Sequence, residues 1–134
     1  MTSVIYKYGH DGDYDWEKDE IRALVLGGAS VPARCYESTL TTVADLLAVD
    51  GARELDATNY TRRTTTRKIA RNALMAAVIW PSIGGSKNDT MRAFVFYKDG
   101  ATDAFRKPIC ICANTKPITT NGGDIVLEMA DIIQ

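Results

Sequence analysis

Met91-Arg-Ala-Phe-Val-Phe-Tyr-Lys-Asp-Gly100, Lys107-Pro-Ile-Cys-Ile-Cys-Ala113 and Ile125-Val-Leu-Glu-Met-Ala130 are the runs whose reading decides the fold. Each is short and rich in β-branched, aromatic or aliphatic residues, and turn chemistry separates them. Asp99-Gly100 and Asn121-Gly122 supply residues that tolerate positive φ, as tight turns between antiparallel strands demand. Ile109–Ala113 is apolar at every position, which predicts a central strand covered on both faces. In 125–130, Ile125, Leu127 and Met129 alternate with Val126, Glu128 and Ala130, a period of two with one fully apolar face. The three runs together predict the core sheet of a small β protein.

Working outward, Ile21-Arg-Ala-Leu-Val-Leu26 reads as another strand, closed by Gly27-Gly28. Tyr60–Ala70 holds three consecutive threonines, Thr64, Thr65 and Thr66, which disfavour helix and favour strand. Ala73–Trp80 ends in Val-Ile-Trp before Pro81 and is read as strand. One short helix is expected from Thr42 through Val49. Thr42 caps it, Asp45 is its capping-box partner and Gly51 stands just past its end. Six or seven strands and one short helix predict an all-β class, an antiparallel β-sandwich or jelly-roll-like barrel. No internal repeat, low-complexity tract or linker divides the chain. Residues 1–20, mostly polar and aromatic, are read as an N-terminal arm, and 21–134 as a single sandwich domain.

The bulk numbers narrow the function classes. A chain of 134 residues buries roughly 68% of its unfolded surface, so it needs no staple to fold. A hydrophobic fraction of 46% with 25% charged residues fits a globular domain and argues against disorder. The net charge of -1 gives no global field to recruit nucleic acid or an anionic membrane. No basic region followed by an apolar segment opens the chain, so no signal peptide is expected. No apolar run approaches the length of a membrane span. Three cysteines, Cys35, Cys110 and Cys112, are an odd number without secretory features, which predicts free thiols in a reducing compartment.

Each motif that could carry chemistry fails on spacing. Asp11, Asp13 and Asp15 suggest an EF-hand loop, but Trp16 stands where glycine belongs and Arg22 where the bidentate glutamate belongs. His10 is the single histidine and no nucleophile motif accompanies it. Cys110 and Cys112 share a strand face with no second pair for zinc. Gly27-Gly28, Gly84-Gly85 and Gly122-Gly123 lack the lysine and hydroxyl of a phosphate loop. No catalytic, cofactor-binding or metal-binding residue is therefore assigned. A basic cluster, Arg62, Arg63, Arg67, Lys68 and Arg71, could grip phosphates, pair with carboxylates, or simply keep an edge strand soluble. Tyr6, Tyr8, Tyr14 and Trp16, with Arg62, Arg63 and Arg67, are the expected partner-binding residues. The aromatics would anchor in pockets and at least two of the arginines would face outward.

The order of the pieces resembles a broad group of small virion structural proteins of tailed bacteriophages. The stretches carrying the resemblance are Asp15-Trp-Glu-Lys-Asp-Glu-Ile-Arg-Ala-Leu-Val-Leu26, Val43-Ala-Asp45, Asn59-Tyr-Thr-Arg62, Val78-Ile-Trp-Pro81, Val95-Phe-Tyr-Lys-Asp-Gly100, Lys107-Pro-Ile-Cys-Ile-Cys112 and Thr120-Asn-Gly-Gly-Asp-Ile125. A tryptophan–aspartate–isoleucine opening leads into a first strand, and Tyr97-Lys-Asp99 and Thr120-Asn-Gly-Gly-Asp124 turns frame the last ones. The cysteines of 110–112 depart from the aliphatics of similar proteins. The group has no agreed catalytic residues, so none is carried over. The resemblance implies a capsid decoration (cement) protein on the outer surface of the head, made in the host bacterial cytoplasm. It implies the major capsid protein and further copies of itself as partners, with a trimer as first expectation. A tail or head–tail connector subunit is the alternative. A carbohydrate- or host-surface-binding β module, using the exposed aromatics, is an alternative of another class.

Overall fold

A computed structural model describes residues 3–8, 18–70 and 73–130. The strands are β1 (Ser3–Lys7), β2 (Ile21–Leu26), β3 (Arg63–Thr64), β4 (Thr66–Ala70), β5 (Ala73–Trp80), β6 (Thr90–Lys98), β7 (Lys107–Thr119) and β8 (Ile125–Ala130). A 3-10 turn, Ala33–Tyr36, and one short helix, α1 (Val43–Leu47), lie between β2 and β3. The strands form two antiparallel sheets, a larger one ordered β1-β7-β6-β2-β3 and a smaller one ordered β4-β5-β8. The mainly β class read from the sequence is therefore the observed one, and the β2 and β5 boundaries coincide with the sequence reading.

Strand alternation feeds two cores. Ile21, Ala23 and Val25 of β2, Phe94 and Phe96 of β6, and Cys110 and Cys112 of β7 meet Val78, Trp80 and Leu127 of the smaller sheet. Trp80 and Phe94 span the two sheets, with ring centroids 5.6 Å apart. Leu24, Leu26, Val95 and Ile111 point the opposite way, onto Cys35, Leu40, Val43 and Leu46. The larger sheet is thus covered on both faces, by the smaller sheet and by α1 with its flanking loops, as the unbroken apolar run in β7 demanded.

Two bulges reset the alternation. Pairing steps from Met91↔Ile118 to Ala93↔Ala113. Arg92 of β6 faces the longer β7 stretch 114–117 across this step, and Met91 and Phe94, three apart, enter the same core. On β7 the same step leaves residues 114–117 as a short excursion, in which the Lys116 amide donates to Asn114 Oδ1. A second shift, between Phe96 and Tyr97, faces Ile109 and puts it beside Cys110 in one core.

The threonine run is the corner where the chain changes sheets. Thr65 lies between β3 and β4, is buried, and donates both its amide and its hydroxyl to the Ile21 carbonyl. Tyr60–Ala70 is consequently not one strand but two, in different sheets.

Three expectations are corrected. First, β8 does not extend the sheet of β6 and β7. It pairs with β5, so the Asn121-Gly122 turn, with Gly122 at φ 96°, arches between sheets. Second, Asp99-Gly100 is not a tight hairpin turn. Gly100 is not among the positive-φ residues, and β6 and β7 are joined by a loop over 99–106. Third, residues 1–20 are not wholly an arm. Ser3–Lys7 is the edge strand that completes the far side of β7, in the register Ser3↔Asn114 to Lys7↔Cys110. The physical reason is that an apolar strand needs hydrogen-bonded neighbours on both edges, and β6 fills only one of them.

Candidate contact surface

The helix that supports this region forms as its sequence directs. Thr42 Oγ1 accepts from the Asp45 amide, and the Asp45 carboxylate accepts from Thr41 Oγ1 at 2.7 Å. These hydroxyls hold the Asp45 carboxyl below its ordinary value. Val43 and Leu46 bury against the larger sheet. The first-turn amides of Val43 and Ala44 donate to the carbonyls of Arg106 and Asp103, which fastens the 99–106 loop to the helix.

A chain of charges fixes the same loop from the other side. Arg62 forks onto Glu54, with Nε and Nη2 each 2.9 Å from a carboxylate oxygen, and onto Asp103 at 2.6 and 3.1 Å. Its guanidinium carbon lies 5.7 Å from the Tyr97 ring centroid. Arg106 continues the chain to Asp103 at 2.8 Å and to Asp99 at 3.0 Å. Tyr60 donates its hydroxyl to Glu54 at 2.6 Å and accepts from the Val25 amide. Hydrogen bonds that Arg62 donates to Glu54, then to Asp103, push its guanidinium up, and the Arg62 contact holds Asp103 below its ordinary range. Burial, reinforced by the Glu54 charge, pushes the Tyr60 hydroxyl up. These groups pair with one another and are positioned to brace the loop.

The braced loop presents a single large side chain. Phe105 is 71% exposed, among exposed Ala101, Thr102 and Ala104. Gly100 packs against its backbone, since a Cβ there would lie 2.8 Å from the Phe105 carbonyl oxygen. A second exposed apolar feature lies on the outer face of the smaller sheet. Ile79 and Val126 are direct cross-strand partners, 51% and 53% exposed, and Arg63 donates from Nε to the Ile79 carbonyl.

The sequence-predicted contact residues scatter. Arg62 turns inward to Glu54 and Asp103, so it is a bracing residue; nothing near it in sequence announces those two partners. Arg63 is exposed, as expected. Tyr8 is 2% exposed and donates its hydroxyl to the Cys35 carbonyl, so it is a core anchor and not a surface aromatic. Burial, with smaller contributions from neighbouring Cys35 and Cys110, pushes its hydroxyl up. Tyr6 lies in β1 opposite Ile111, with only its backbone described. Arg67 lies in β4 opposite Ala76, likewise described in backbone alone. Tyr14, Trp16, His10 and the aspartates of 11–15 lie outside the described residues. Phe105, Ile79 and Val126 were missed because a lone phenylalanine in a polar loop and apolar residues on a strand both look like core.

Cys35, Cys110 and Cys112 are buried free thiols, with burial pushing Cys35 up. Among the described residues, no three histidine, cysteine or acidic side chains gather to hold a metal, and no helix is long and apolar enough to cross a membrane. No family model, curated protein or solved structure matches this chain.

Proposed function

We propose that this chain is a non-enzymatic structural protein of a phage particle, a decoration protein that binds the outside of the head. The order and spacing of motifs along residues 15–130 suggest the particle. The observation that supports a contact protein is the division of labour among its side chains. The half-buried arginines and carboxylates are spent on each other to brace the Phe105 loop, while Phe105, Ile79 and Val126 stand in solvent. Rigid, exposed apolar anchors are what a docking surface needs.

On this reading the protein is made in the host cytoplasm and ends on the capsid surface. Its partners are the major capsid protein and copies of itself. It binds across subunit boundaries that exist only in the assembled shell, so mass action stabilises that shell against the outward push of packaged DNA. Many copies make modest single contacts collectively strong. Burial of Tyr8 weighs against the carbohydrate-binding alternative, which counted it among its stacking aromatics. The test is to mix labelled protein with purified expanded heads. Saturable binding at many copies per head is expected. Label confined to the neck or tail would replace this reading with a connector subunit. Glycan binding without particle binding would replace it with a host-surface module.

A further inference from the structure

Two loops close on each other through their backbones just before β8. The Gly122 amide donates to the Ile83 carbonyl at 2.8 Å, and the Ile83 amide donates to the Gly123 carbonyl at 3.1 Å. The approach is close: a Cβ on Gly122, whose φ is 96°, would stand 3.4 Å from the Gly85 Cα. The Asp124 carboxylate accepts from the Ser82 amide at 2.7 Å, a third bond across the same seam. Asn121 lies on this seam and is exposed. It is the one asparagine of the chain that a glycine follows. Its Oδ1 accepts from the Gly123 amide at 3.0 Å.

We propose that Asn121 is a site of spontaneous covalent modification, deamidation through a cyclic imide, and that the Gly122–Ile83 bond sets its rate. The Gly122 nitrogen attacks Asn121 Cγ. The N–Cγ bond forms, the Cγ–Nδ2 bond breaks, and ammonia leaves with the Gly122 amide proton. Water then opens the imide at either carbonyl and leaves aspartate or isoaspartate, so no oxidant or reductant enters. The carbon is primed. Asn121 is exposed to water, no Cβ on Gly122 shields its nitrogen, and the Gly123 N–H draws charge onto Oδ1, as a donor aimed at a developing oxyanion does. The nitrogen is latched. Attack needs the Gly122 amide to give up its proton and turn toward Cγ, and while it donates to Ile83 it does neither. The latch wins, because polarising Cγ accelerates nothing until the nitrogen is free. The reaction therefore runs from the opened seam, in proportion to the opened fraction. Isoaspartate adds one backbone atom before Gly122, so the two bonds to Ile83 no longer stay in register and the seam cannot close again. The mark is permanent and records how often the seam has opened. It stands without the particle reading, because every reacting atom but water belongs to this chain.

Peptide mapping by mass spectrometry tests this on the full chain, incubated in mildly alkaline buffer both folded and in denaturing urea. Hydrogen exchange at the Gly122 amide is followed on the same preparations. Asn121 should be the first asparagine to deamidate in urea, and it should react at least about tenfold more slowly in the folded chain. Asp124→Ala removes the acceptor of the Ser82 amide and leaves Asn121 and Gly122 in place. It should keep the parent circular dichroism while speeding Gly122 exchange and Asn121 deamidation by the same factor, about fivefold. The isoaspartate product, separated by ion exchange, should exchange quickly at Gly122 and Ile83. A folded parent that deamidates at Asn121 as fast as the unfolded chain overturns the proposal. So does a deamidation rate that fails to follow Gly122 exchange between parent and variant, or an isoaspartate chain whose seam is as protected as the parent's.

Discussion

Asp89 shows how one side chain can hold a loop junction. Its carboxylate accepts from Arg53 at 2.8 and 3.1 Å and from the amides of Asp56, Thr90 and Gly28. Burial alone would raise its pKa, but the Arg53 bonds and then the amides outweigh it and hold it at about 2. A depressed carboxylate pKa stabilises the fold fully above the unfolded value, and that stability is lost as pH falls through the folded value. The window is therefore pH 4 down to 2, and the loss about 2 kcal/mol. Urea titrations across that window should show Asp89→Asn less stable than the parent near neutrality, with a shallower acid decline. Arg62→Ala strands two carboxylates and should cost about 2 kcal/mol, less than for a fully buried pair. Tyr8→Phe removes only the bond to the Cys35 carbonyl and should cost about 1 kcal/mol by the same titration.

Among the elements, β1 and the 99–106 loop decide what is core and what is contact. Removing residues 1–8 takes away β1 and the buried Tyr8 ring. Stability should fall by about 3 kcal/mol, and amide exchange along 110–113 should quicken as the β7 edge opens. An unchanged exchange pattern would show that β1 does not seal that edge. Gly100→Ala drives a Cβ against the Phe105 backbone and should cost about 1–2 kcal/mol in a urea titration. Individual strands were legible because alternation and β-branching are local signals: β2 and β5 could be read to the residue. Their assignment to sheets was not legible. The Asn121-Gly122 turn looks the same whether it closes a hairpin or arches between sheets, and only the β5–β8 register distinguishes the two. Strand β1 was hidden because five strand residues precede a long acidic and aromatic stretch that dominates the composition. The inward turn of Arg62 depends on Glu54 and Asp103, the latter 41 residues away, and no local spacing encodes it. Of the residues expected to make contact, Arg63 is exposed, beside Ile79.

In the whole molecule, the smaller sheet, the larger sheet and the α1 layer stack so that both faces of the larger sheet are dry. Among the described residues, the large apolar side chains left exposed are Ile79 and Val126, on the outer face of the smaller sheet, and Phe105 on the 99–106 loop. A protein built this way is suited to being held on a surface and to holding neighbours there, which is the mechanical role proposed for it on a phage head. Electron cryomicroscopy of purified particles carrying this chain addresses that role directly. Density for the two-sheet sandwich should repeat over the outer surface of the head, with neighbouring copies in contact. Particles whose heads are bare, with the chain missing or confined to the neck or tail, would show that it is not a decoration protein.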